Sequence, residues 1–65
     1  MRMKNDEGEA VYFNPIRKHG KDLWVIQGNG STVVLGRDRQ RRKSRTFTQW
    51  AQADRYLARH GFHAD

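Results

Sequence analysis

Between Arg37 and Arg45 the chain reads Arg-Asp-Arg-Gln-Arg-Arg-Lys-Ser-Arg, six basic residues and one acidic in nine positions. Like charges at this density cannot be buried, and they repel one another unless a polyanion neutralises them. The run therefore has to lie outside any core, and it divides the chain. Before it the sequence has the pattern of strands, and after it the pattern of a helix. It reads as a basic loop over 37–45 that the rest of the chain holds out to a nucleic-acid backbone. The blander reading is a solvated loop that contacts nothing.

Charge elsewhere supports the first reading. Of the net +6, residues 1–36 carry five basic and four acidic groups, and residues 37–65 carry eight and three. The positive field belongs to the second half, the usual electrostatic footprint of a nucleic-acid binder. At 65 residues the chain allows one small domain, and with no cysteine no disulfide props it up. No apolar run is long enough to span a bilayer, and the N-terminus lacks the apolar stretch of a signal peptide. A cytoplasmic protein, nucleoid-associated if it binds DNA, is the expectation.

In chain order, residues 1–9 are polar and read as a disordered tail. Ala10–Lys18 is a first strand, with Pro15 placing it at an edge. His19-Gly20 is a turn, and Leu23–Gln27 is a second strand. Asn29-Gly30 is the strongest short-range hairpin signal, so Thr32–Leu35 is a third strand. These turns put Phe13 opposite Ile26, Pro15 opposite Trp24 and Ile26 opposite Val33. One sheet face then holds Val11, Phe13, Trp24, Ile26, Val33 and Leu35. The other holds Tyr12, Asn14, Ile16, Leu23, Val25, Gln27, Thr32 and Val34.

After the basic run, Thr48 is the expected N-cap of a helix carrying Trp50, Ala53 and Leu57 at helical spacing, with Tyr56 and His60 beside them. Gly61 and Phe62 suit a Schellman ending, and 63–65 form a short tail. Gln52, Arg55 and Arg59 take the outer helix face. The fold class is α+β: three antiparallel strands packed by one C-terminal helix, β-β-β-α, over 10–62. Trp50, Ala53, Leu57 and Phe62 should cover Phe13, Trp24, Ile26 and Leu35.

Catalysis is not expected. Ser31 and Ser44 have no obvious base, and the acidic groups are scattered. His60 and His63 with Asp65 lack a firm metal geometry, so no metal or cofactor is expected. Trp24 and Trp50 read as core rather than as base-stacking platforms; Tyr12 is the better stacking candidate. The basic run is the strongest functional feature, because arginines donate bidentately to phosphate and release counterions on binding. The candidate nucleic-acid contacts are Arg37, Arg39, Arg41, Arg42, Lys43 and Arg45, extended by Arg55 and Arg59.

Leu23-Trp24-Val25-Ile26, the Asn29-Gly30 turn, Val33-Val34-Leu35, and Phe47-Thr48 leading into Ala53 and Leu57 resemble a known DNA-binding architecture. It is that of the arm-binding domains of phage and transposon integrases and of the plant ethylene-response-factor domain. In those families the sheet face away from the helix enters the major groove and carries arginines. Here that face offers Asn14, Gln27 and Thr32 as polar groups. Its apolar members, Tyr12, Ile16, Leu23, Val25 and Val34, are expected to bury against a second copy, giving a homodimer. The combined expectation is a small DNA-binding protein of the phage, plasmid or bacterial kind. The alternatives are an inhibitor or adaptor that docks an acidic protein partner through the open face, and an RNA binder.

Overall fold

The computed structural model describes residues 1–64. Its element order is β1 (Arg2–Lys4), β2 (Ala10–Lys18), β3 (Lys21–Gly28), β4 (Val34–Leu35), β5 (Arg41–Arg42), β6 (Ser44–Phe47), α1 (Trp50–Arg59) and β7 (His63–Ala64). The fold is α+β, but the sheet has five strands rather than three, ordered β6-β3-β2-β1-β7 and antiparallel throughout. A separate two-stranded ribbon pairs β4 with β5.

The central hairpin follows the expected register, with Phe13 opposite Ile26 and Pro15 opposite Trp24. His19 (φ 52°) and Gly20 (φ 75°) both take positive φ, the combination that a tight two-residue hairpin turn needs to match strand twist.

The third expected strand does not form where Asn29-Gly30 predicts it. That turn exists, with Thr32 N–H donating to the Asn29 carbonyl at 3.1 Å, but it does not join paired strands. Both edges of β3 are already occupied. Asn29 N–H donates to the Ala10 carbonyl at 3.0 Å, continuing the β2 side, and Gly28 N–H donates to the Lys43 carbonyl at 2.8 Å, continuing the β6 side. The segment after the turn must fold back over the sheet end. Gly28 permits this, because a Cβ there would collide with the Thr32 carbonyl. The displaced segment pairs instead with Arg41–Arg42, and Ser44–Phe47 becomes the neighbour of β3, with Ile26 opposite Arg45 and Trp24 opposite Phe47. The expected pairing of Ile26 with Val33 is thus replaced, and the faces of that segment invert. Val34 is fully buried and Val33 is 41% exposed.

One sheet face packs against α1. Val11, Ile26, Val34, Phe47, Ala53, Tyr56 and Leu57 form the core, with Met3, Phe13, Trp24, Leu35 and Phe62 packed at its margin. Trp50, expected in this core, is 53% exposed. The buried helical stripe runs through Ala53, Tyr56 and Leu57, and its centre lies roughly 70° round the helix from Trp50 at about 100° per residue. Tyr56 fills the place assigned to the tryptophan. The N-cap is Gln49 rather than Thr48, in extended conformation and with no side-chain cap bond. The C-terminal end is the expected Schellman motif. Gly61 has φ 75°, Phe62 N–H donates to the Leu57 carbonyl at 2.9 Å, and Gly61 N–H donates to the Ala58 carbonyl at 3.1 Å.

Residues 1–9 are not a tail. β1 adds to the outer side of β2, with Met3 opposite Val11, and β7 adds to β1. His63 and Ala64 therefore belong to the sheet, and Asp65 lies outside the described residues. Asn5 fixes the turn that follows β1. Its Oδ1 accepts from the backbone N–H of Glu7 and Glu9 at 3.1 and 2.9 Å, and its Nδ2 donates to the His60 carbonyl at 3.3 Å. One buried side chain thus ties the N-terminal turn to the end of α1. Asn5→Ala leaves two backbone donors without their acceptor, and we expect a loss of about 2–3 kcal/mol in urea unfolding. A loss under about 0.5 kcal/mol would mean that the N-terminal turn unfolds separately from the rest.

Candidate functional site

The basic run is structured rather than a free loop. Its first half closes the β4–β5 ribbon. Arg39 N–H donates to the Gly36 carbonyl at 2.9 Å, and Gly36 N–H donates to the Gln40 carbonyl at 2.8 Å. Arg39 sits at φ 62°, in the left-handed position that this kind of turn normally gives to glycine. Arg39→Gly should therefore stabilise the protein by about 1 kcal/mol, roughly 4–8 °C in Tm for a domain of this size. A lower Tm would mean that the Arg39 side chain itself holds the turn.

Asp38 orders the same loop. Its carboxylate accepts from Gln40 N–H at 3.1 Å and pairs with the Arg42 guanidinium at 3.1 Å. The Gln40 N–H first, and the Arg42 charge second, hold the Asp38 pKa below its ordinary 3.8. Arg42, counted among the free phosphate contacts from sequence, is thus already matched by a carboxylate.

Arg45 is also placed differently from expectation. Its position opposite Ile26 in the β3–β6 ladder turns it to the helix side of the sheet, where it is half-buried. Its Nη1 donates to the Leu35 carbonyl at 3.3 Å, and its guanidinium lies 4.5 Å from the Phe47 ring centre and 5.7 Å from that of Tyr56. Contacts of this kind hold a planar guanidinium while leaving its outer N–H groups available. The Tyr56 hydroxyl accepts from Leu35 N–H at 3.0 Å, so ribbon, β6 and helix are bound together around this arginine.

Arg45 forms part of the wall of a cleft of about 410 Å³ between β6 and α1, which Arg37, Arg55 and Arg59 also line. Thr46, Phe47, Thr48, Gln52 and Tyr56 complete the lining, and among the described residues no carboxylate contributes to it. Gln52, Arg55 and Arg59 share one helix face at spacings of three and four, so the helix presents two guanidinium groups to the cleft. A second concavity, about 490 Å³, adjoins it through Arg37, Arg45 and Thr46, with Asp38 and Arg42 on its far side. Arg39, Arg41 and Lys43 are exposed on the ribbon and on the bend that leads into β6. The eight basic residues singled out from sequence therefore divide into three sets. Four meet in the cleft, three project from the segment next to it, and one is tied to Asp38. Thr46, Thr48 and Gln52 were not foreseen as lining. Their signal was the β-branched alternation of Thr46-Phe47-Thr48, hidden under the charge run.

The expected interface residues also divide. Tyr12 and Ile16 are exposed, and Leu23 and Val25 half-buried, on the sheet face away from α1. Val34 is in the core and cannot join them. His60 and His63 turn to different partners. The His60 ring lies 4.3 Å from that of Tyr56, and His63 Nε2 is 3.8 Å from Asp6. Among the described residues no helix is long and apolar enough to cross a membrane. Compared with family models, curated proteins and solved structures, the chain matches none of them.

Proposed function

We propose that this protein binds duplex DNA through its phosphate backbone, using the arginine cleft and the basic ribbon beside it. The observation that carries this reading is the convergence of Arg37, Arg45, Arg55 and Arg59 on one carboxylate-free cleft. Four arginines in the walls of one cleft, with no carboxylate among the described residues of its lining, make a positive concavity that an anion would neutralise. Arg45 is fixed on an aromatic surface, so it is oriented before any ligand arrives. The exposed Arg39, Arg41 and Lys43 extend the positive surface beyond the size of a single phosphate. A repeating polyanion matches such a strip better than one small anion does. Arginines held on a turn, a strand and a helix face in this way fix register on a backbone, and their phosphate contacts carry no base readout of their own.

The reading is tested by a salt series. Binding of two unrelated duplexes of about 20 base pairs is measured by fluorescence anisotropy. With four phosphates neutralised, the slope of log affinity against log salt should be about −4, the same for both sequences. Absence of binding at low salt, or a slope near zero, would overturn the proposal.

A further inference from the structure

The sheet face away from α1 offers a second, different surface. Partners across an antiparallel ladder share a face, so the register fixes its membership. A row of Ser44, Gln27, Tyr12 and Arg2 crosses four strands, and a parallel row holds Thr46, Val25 and Asn14. Beyond these come Ile16 opposite Leu23, and then Lys18 opposite Lys21. The N-terminal strand brings Arg2 and Lys4 to this face, a contribution that the sequence pattern did not predict. Among the described residues no acidic side chain occupies any strand position on it. Tyr12, 40% exposed, sits at its centre with amide and hydroxyl side chains on the β3 and β6 side.

We infer that this face binds single-stranded DNA, with a base stacked on Tyr12 and the backbone drawn by Lys18 and Lys21 at the rim. Three features of the surface select this occupant. An exposed tyrosine on a sheet offers a flat π-surface that accepts any base. Gln27 beside it on β3, and Ser44 one strand further on β6, supply both donors and acceptors for base edges. The lysine pair at the rim complements a polyanion, whereas the same face of a second copy offers, among the described residues, no acidic strand position to meet it. The aliphatic ridge of Ile16, Leu23 and Val25 favours DNA over RNA. A deoxyribose lays an apolar edge on such a ridge, while a ribose would bury its 2′-hydroxyl there without a partner. The two surfaces meet at the β6 edge, where Ser44 and Thr46 also line the concavities beside Arg45, but Tyr12 and Gln27 lie outside that lining, so the Tyr12 surface is separable by mutation.

The experiment uses the full chain with fluorescein-labelled oligonucleotides of dT and of rU, about 15 nucleotides long, alongside the duplex. The expected result is binding of oligo-dT, weaker binding of oligo-rU, and a fall of about tenfold or more in dT affinity in Tyr12→Ala. Tyr12→Phe keeps the ring and should retain binding, and Gln27→Ala, in the same row, should weaken it less. Duplex affinity should stay unchanged in Tyr12→Ala. Thermal melts of each variant confirm that the fold persists. Three outcomes would overturn the inference: dT affinity indifferent to Tyr12→Ala, rU bound as tightly as dT, or sedimentation showing a wild-type dimer that Tyr12→Ala dissociates. Failure of the cleft reading is distinct, since it shows in the duplex titration alone.

Discussion

Leu57→Ala should unfold a large fraction of this protein at room temperature, with a loss of about 2–5 kcal/mol. Leu57 lies in the core cluster at 3% exposure, and its carbonyl also accepts the Phe62 N–H that closes the helix. Truncation removes the transfer energy of the side chain and leaves a cavity under the only described helix, next to Ile26 and Phe47. A domain of this size has a total stability of roughly 3–5 kcal/mol from its core, so the loss is comparable with the whole. Circular dichroism in a urea series measures it directly. Trp50→Ala is the informative contrast. Trp50 is the larger residue and the one that helical spacing alone places in the core, yet it sits half in solvent. Its truncation should cost under about 1 kcal/mol. If Trp50→Ala proved the more damaging of the two, the phase of α1 would be wrong, and with it the position of Arg55 and Arg59.

That contrast shows what periodicity conveys. Ala53, Tyr56, Leu57 and Trp50 all satisfy a helical spacing. Which flank of a wide stripe is buried depends on where the sheet lies, and the sheet is a tertiary fact. The β2–β3 hairpin is legible because a two-residue turn fixes its register locally, through His19 and Gly20. The Schellman ending at Gly61 is legible for the same reason. Asn29-Gly30 carries an equally strong local signal and forms its turn, but pairing depends on a free strand edge. One edge of β3 is held by its own hairpin partner β2, and the other by the non-local β6, which arrives from sixteen or more residues further along the chain.

Charge conceals the remaining elements. Arg-Met-Lys at the N-terminus and Ser-Arg-Thr-Phe before the helix alternate as strands do, under a dominance of polar and basic residues that reads as tail and loop. Edge and near-edge strands tolerate charge on their solvent side, so density of arginine does not argue against a strand. The consequence for function is direct. A run that reads as a flexible loop is in fact a ribbon and a strand that divide its arginines between a cleft, an exposed segment and an ion pair. The polar character of residues 1–9 likewise hides Asn5, whose contribution comes from four hydrogen-bonded groups brought together by folding. No local pattern announces such a hub.

Changing Arg55 and Arg59 together to Ala should have the largest effect on duplex binding with the least effect on the fold. Both are exposed on the helix face that lines the cleft, and neither belongs to the core. Removing one phosphate-binding arginine should flatten the salt slope by about 0.9, so the double variant should read about −2 where the wild type reads about −4. Affinity should fall alike for every duplex sequence, because arginines on phosphates position the protein without reading bases. The melting temperature should hold within about 2 °C, as expected for surface positions. Arg45→Ala behaves differently in this scheme. It removes a guanidinium that lies over Phe47 and Tyr56 and donates to the Leu35 carbonyl, so it should lower both stability and binding. Arg41→Ala, out on the ribbon and outside the four cleft arginines, should flatten the slope by much less than the double variant does and leave stability unchanged. A double variant at Arg55 and Arg59 that bound duplex with an unchanged slope would take the cleft out of the interface. The exposed ribbon alone would then have to account for any affinity that remained.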